Sequence, residues 1–181
     1  MKGIVFSEYI EFVEDKLGME IAERMIEECD LPSGGAYTAV GTYDHKEIVQ
    51  LVVKLSELTD TPVPALLKAF GEHLYGILSG GYPQLVSTCS SAFELFKSIE
   101  NFIHVEVRKL YSDVELPYFG YEEVDENTLK LTYNSERGFA DLAEGLIVGA
   151  ANHFNEDIEI SRTDLSDGAH THEVFTLTKR S

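Results

Sequence analysis

Three hydrogen-bond donors stand two residues apart in Leu131-Thr132-Tyr133-Asn134-Ser135-Glu136-Arg137, namely Tyr133, Ser135 and Arg137. On a strand, alternate residues point to one face, so the three are expected to project together. The phenol, the hydroxyl and the guanidinium all donate, and the fork of Arg137 matches a carboxylate. Such a row suits an anion with several oxygens. The same triplet also describes the polar face of a solvated strand, and alone it does not decide between the two. His104 is the second candidate, in the apolar stretch Asn101-Phe102-Ile103-His104-Val105-Glu106-Val107. An imidazole there is either a metal donor or a core histidine whose hydrogen bonds are met. One pocket offering both an imidazole and an anion clamp would account for both features.

The elements that must position these residues follow from periodicity. Tyr9, Ile10, Val13 and Leu17 share a helical face over 7–17, with Ser7 as the expected cap and Gly18 as the stop. Ile21, Met25 and Ile26 mark a second helix that ends before Leu31-Pro32, and Ser33-Gly34-Gly35 reads as a turn. Asp44 followed by Glu47 resembles a capping box for a helix carrying Ile48, Val49, Leu51, Val52 and Leu55. Pro62 opens a further helix over 62–78, which Gly80-Gly81-Tyr82-Pro83 breaks. A long helix is expected from Ser90 through Phe93, Phe96, Ile99, Ile103 and Leu110. After Pro117 the period shortens. Strands are expected over 118–124 and 128–135, then a helix over 139–154, then strands over 158–163 and 173–178. This order predicts an α+β fold: an N-terminal helical part over about 1–116, packed on a C-terminal antiparallel four-stranded sheet with its own helix over about 117–181, in one domain of 181 residues.

Composition narrows the function classes. Apolar residues make up 44% and charged residues 25%, as in ordinary globular domains. Thirty-two acidic residues against fourteen basic ones give a formal charge of −18. So acidic a surface repels phosphate backbones and anionic lipid, which argues against nucleic acid or a membrane as partner. No apolar run reaches the roughly 18 residues of a membrane span, and acidic residues interrupt what would be the core of a signal peptide, so a cytoplasmic location is expected. Cys29 and Cys89 are expected to be free thiols. His45 and His73 fall on predicted helices and His153 near the C-terminal part, while His170-Thr171-His172 offers two metal donors without a third.

Haem asks for both candidate features at once, an imidazole for its iron and donors for its two propionates. The chain resembles the H-NOX (haem-nitric oxide/oxygen binding) family, related to the haem domain of soluble guanylate cyclase. The residues that carry the resemblance are Met1-Lys2-Gly3, Ala69-Phe70-Gly71-Glu72, His104, Pro117 after it, and the YxSxR string Tyr133, Ser135, Arg137. It implies haem b (Fe-protoporphyrin IX) buried between the helical part and the sheet. His104 is then the proximal ligand of the iron, Tyr133, Ser135 and Arg137 the propionate clamp, and Pro117 the residue that holds the porphyrin out of plane. Oxygen-binding members carry a distal tyrosine where this chain has Leu142. The resemblance thus implies an apolar distal pocket of Ile4 or Val5, Leu74, Leu78, Leu142 and Leu146. Such a pocket binds nitric oxide, with carbon monoxide as a further ligand, and oxygen poorly. The implied function is a monomeric haem-based gas sensor rather than an enzyme. Nitric oxide releases the proximal histidine, and the signal passes to a separate sensor histidine kinase or diguanylate cyclase, as in two-component regulation.

Two alternatives stand beside this reading. A haem peroxidase or oxygenase would need distal acid–base groups, and the expected distal residues are leucines. A haem-free interaction module would keep His104 in its core and the YxSxR row on its surface.

Overall fold

Helical periodicity dominates the first two thirds of the chain and alternation the last third, and the structure, a computed structural model, follows that change. It describes residues 1–168 and 170–180. Among them are seven α-helices, a four-stranded antiparallel sheet, one 3-10 turn and one π-helical segment. The chain divides into two compact units, Met1–Phe70 and Gly71–Ser181.

The first unit holds α1 (Gly3–Leu17), α2 (Met19–Glu27), α3 (His45–Thr59) and the start of α4 (Val63–Gly81). Its core is aromatic and aliphatic: Phe6, Tyr9, Val13, Met25, Leu51, Leu55 and Phe70 are essentially removed from water. Tyr9 meets Phe70 edge-on with ring centroids 5.0 Å apart, a favoured geometry for such pairs. Gly18, at φ 92°, ends α1 where a side chain would be strained. The helix begins earlier than the expected cap. Ser7 lies inside it, its hydroxyl donating back to the carbonyls of Gly3 and Ile4. Asp44 does cap α3, accepting the Lys46 N–H at 2.9 Å. Glu47 does not complete the box. It turns inward, 4% exposed, and accepts from Ser33 N, Ser33 Oγ and the Tyr37 hydroxyl.

The second unit takes the rest of α4, a 3-10 turn (Pro83–Leu85), α5 (Ala92–Lys97), the π-helical segment (Ile99–Ile103), α6 (His104–Leu110) and α7 (Ala140–His153). It also contains the strands β1 (Tyr118–Asp125), β2 (Thr128–Ser135), β3 (Ile158–Asp164) and β4 (Thr171–Lys179), in the order β1-β2-β4-β3. One sheet face is apolar. Leu129, Leu131, Tyr133, Phe175 and Leu177 are buried with Phe93 and Phe96 of α5 and Ala143, Ile147 and Ala150 of α7. Burying five such strand residues on one face sets the register, because a slip of one position would expose them all. The expected single helix from Ser90 to Leu110 is three pieces. The Ile103 N–H reaches the Ser98 carbonyl at 3.1 Å, a π-type bond across five residues, just before His104. Periodicity cannot separate the two helix types over so short a span.

Candidate functional site

His104 opens α6 immediately after the π-helical segment and is 8% exposed. Glu100 precedes it by four residues, a spacing that brings side chains together on a helix. The His104 Nδ1 donates to Glu100 Oε1 at 2.8 Å, since a carboxylate can only accept. The same oxygen accepts the backbone N–H of Phe119 at 2.9 Å. One bond thereby fixes the ring tautomer and leaves the lone pair on Nε2, which makes no hydrogen bond among the described residues. Burial pushes the His104 pKa below its ordinary value, with Glu100 pulling the other way and Arg108 adding to the decrease. A neutral, oriented imidazole with one uncommitted nitrogen is the form that binds a metal.

The YxSxR residues follow on β2, a central strand. Tyr133 is 2% exposed, paired with Phe119 on β1 and Glu173 on β4. Its hydroxyl is held by Ser135 and by the backbone of Phe139, and burial raises its pKa. The Ser135 hydroxyl accepts the Arg137 N–H at 3.1 Å. Strand alternation stops at Ser135, so Arg137 is placed by this turn and not by the ladder. Its guanidinium takes the carboxylate of Glu115, whose side chain is 80% exposed while that of Arg137 is 17% exposed. The fork is thus already aimed at a carboxylate, supplied by a side chain that water can easily claim. Pro117 is half-buried at the entry to β1. The rings of His104 and Phe119 lie 6.1 Å apart, and those of Phe119 and Tyr133 5.4 Å apart. His104 is therefore two ring contacts from the YxSxR row.

The expected apolar side chains are distributed over both units. Leu74 on α4 is 5% exposed and Leu78 half-buried, while Leu142 and Leu146, one turn apart on α7, are half-buried. Gly71 brings α4 close to α7: a Cβ there would collide with the Leu142 carbonyl and lie 2.8 Å from Gly145 Cα and 2.9 Å from Leu146 N. Ile4 and Val5 are half-buried on α1 of the first unit. Among the described residues no group of three or more His, Cys, Asp or Glu could hold a metal ion, His170 and His172 included. Cys29 and Cys89 are free and half-buried. Among the described residues no helix is long and apolar enough to cross a membrane.

Sequence reading missed three participants. Glu100 carried a signal in its spacing from His104, hidden among thirty-two acidic residues. Phe119 contributes a backbone amide, which no side-chain type reveals. Glu115 pairs with Arg137 across 22 positions of chain.

Known proteins show which family the chain resembles as a whole. A family model described as Haem-NO-binding matches residues 2–162. The chain is similar to the Fe(II) unliganded H-NOX protein from K. algicida, at 39% identity over 100% of this chain and 97% of that one, with a TM-score of 0.94. It is similar to the H-NOX protein from S. oneidensis in the Fe(II)NO ligation state, at 28% identity over 100% of both chains and a TM-score of 0.92. The IWP-051-bound H-NOX from Shewanella woodyi in the Fe(II)CO ligation state is 42% identical, covering 99% of this chain and 95% of that one, with a TM-score of 0.84. Comparison with curated proteins returns no match.

Proposed function

The chain belongs to the Haem-NO-binding family and is a haem-based gas sensor, and we propose that nitric oxide is its ligand and His104 the residue that holds the iron. The observation that carries this reading is the geometry of His104: buried, its Nδ1 committed to Glu100 and its Nε2 uncommitted. The chain's residues fit haem b on two further counts. Arg137 already grips an exposed carboxylate in a place a propionate would suit, and Tyr133 and Ser135 support it through hydrogen bonds.

Haem, when bound, would supply an iron centre able to take up a diatomic gas. His104 would hold that iron through Nε2. Arg137, Ser135 and Tyr133 would hold the propionates, and Pro117 would bear on the macrocycle. Leu74, Leu78, Leu142 and Leu146 bring no hydrogen-bond donor to the gas, which penalises oxygen, the ligand that most needs one. Nitric oxide has less need of a donor, and related proteins have been solved in Fe(II)NO and Fe(II)CO states. Nitric oxide binding would release His104. Its release would free the start of α6, and a separate histidine kinase or diguanylate cyclase would read the changed surface. The protein acts by binding and not by turnover. A ligand shifts such a balance only through its different affinities for the two states.

Absorption spectra of the reduced, air-free protein test this directly. A histidine-bound spectrum that changes on adding nitric oxide to one lacking the histidine, and no lasting change with oxygen, is the expected result. His104→Gly supplied with imidazole should still take up haem yet lose gas-dependent control of the partner. Control that survives in His104→Gly would overturn the tether role of His104.

A further inference from the structure

We propose that Glu100 is the positioning residue that sets how firmly His104 is held and how readily it is released, an inference that rests on His104 being the iron ligand. One carboxylate oxygen does two jobs. It accepts the His104 Nδ1–H at 2.8 Å and the Phe119 N–H at 2.9 Å. Both partners are sheltered: the side chains of His104 and Glu100 are 10% and 22% exposed.

The chemistry of the first bond is specific to a carboxylate. An ionised acceptor makes a shorter and stronger hydrogen bond than a neutral one. Drawing the Nδ1 proton toward a negative charge moves electron density to Nε2, and such partners raise the basicity of a ligating histidine. A backbone carbonyl or an amide in the same place would supply less. Glu100 thus strengthens the donor atom and opposes its release.

The second bond gives this hold a mechanical end. Phe119 lies on β1, an edge strand, and pairs with Tyr133 of the YxSxR row on the neighbouring strand. Its N–H is turned to Glu100. The carboxylate therefore fastens the imidazole and the edge strand to one point on the π-helical segment Ile99–Ile103. Movement of the imidazole away from its bound position must either carry Glu100 with it, straining the Phe119 contact, or break the Nδ1 bond. Either way β1 registers the position of His104 within the same unit.

The test compares wild type, Glu100→Gln and His104→Gly as haem-loaded proteins. Resonance Raman of the reduced, gas-free protein reads the iron–histidine stretch. Rapid mixing with nitric oxide reads the rate at which His104 leaves. Hydrogen exchange reads protection of the segment containing Phe119. Glu100→Gln, nearly the same shape without the charge, should lower the stretching frequency and speed release on the order of tenfold, the scale of second-shell changes. It should also raise exchange at Phe119. An unchanged frequency and release rate in a Glu100→Gln protein that holds haem would overturn the proposal. Should that variant fail to fold or load, Glu100→Asp decides by the same readings, since it keeps the charge but shortens the reach; an unchanged frequency there overturns the proposal as well. An iron–histidine band that persists in His104→Gly overturns the ligand assignment, and this inference with it, by a result distinct from the Glu100 readings.

Discussion

Arg162 on β3 reaches diagonally to Glu173 on β4, two residues from its ladder partner Phe175, through two hydrogen bonds of 2.7 Å, Nε to Oε2 and Nη2 to Oε1. The other end of the guanidinium reaches Asp141 at 2.5 Å and Glu144 at 2.9 Å at the start of α7. One cation holds three carboxylates between helix and sheet. Arg162→Leu leaves those carboxylates facing one another. We expect it to destabilise the fold by about 2–4 kcal/mol, slightly below the range for fully buried pairs because the arginine side chain is 26% exposed. Urea unfolding with an unchanged slope and a lowered midpoint is the check; a midpoint within error of wild type would show that the network contributes nothing net.

A second prediction concerns the approach of α4 to α7. At Gly71 any side chain meets the carbonyl of Leu142, which is backbone and cannot swing aside. Gly71→Val should therefore cost about 1–3 kcal/mol, the usual penalty of overpacking. It should also displace Leu142 and Leu146. Thermal unfolding, together with the absorption spectrum of the haem-loaded variant, measures the two effects separately.

Tyr75 carries a buried hydroxyl that makes no hydrogen bond among the described residues. Burial, with Cys89 adding to it, pushes its pKa up to about 12 from an ordinary value of 10.0. A folded-state pKa above the unfolded one means the stability is complete below about pH 10 and is lost as pH climbs toward 12. Tyr75→Phe removes an unsatisfied polar atom, so we expect a gain of about 1–2 kcal/mol at neutral pH. Its stability should also decline less between pH 10 and 12. Denaturation midpoints across that range supply the comparison, and a loss of stability at neutral pH would mean that the hydroxyl has a partner when dissolved.

Much of the architecture was legible because burial has a period. Leu129, Leu131 and Tyr133 alternate with Lys130 and Thr132, and the strand they imply, Thr128–Ser135, is the strand observed. The turn of the chain into sheet after Pro117 was visible in the same way. What lay hidden depended on partners distant in sequence or on backbone atoms. Glu47 was read as half of a capping box, yet it is claimed by Ser33 and Tyr37, whose positions only the fold determines. His104 and the YxSxR row were recognisable as types; the Glu100 and Phe119 contacts that orient the imidazole were not.

Arg137 gives a prediction on haem retention. Its guanidinium holds a carboxylate now, and hydrogen bonds to charged groups are worth about 1.5–3 kcal/mol, so Arg137→Leu should speed haem loss on the order of tenfold to a hundredfold. Transfer of haem to an acceptor globin in excess follows the rate. An unaltered rate would remove Arg137 from the clamp.

Leu142 provides the corresponding test of gas choice. Leu142→Tyr adds one donor on α7, and a hydrogen bond on the charged-group scale of about 1.5–3 kcal/mol should be enough to make the reduced protein hold oxygen in air. A spectrum indifferent to air in that variant would place Leu142 away from the gas.

The π-helical segment before His104 acts as a phase adjuster. With about 3.6 residues per α-helical turn, one residue more or fewer rotates everything downstream by about 100°. The five residues Ile99–Ile103 set the direction in which α6 leaves, and so which of its residues looks inward. His104 is buried there, while its neighbour Val105 is 39% exposed. Deleting a single residue other than Glu100 from this segment would leave the side chains of the candidate site intact and still aim the wrong one. The length of this short stretch is thus as much a determinant of where His104 points as the histidine itself, and insertions or deletions in it are a form of variation by which the imidazole can be re-aimed without being changed.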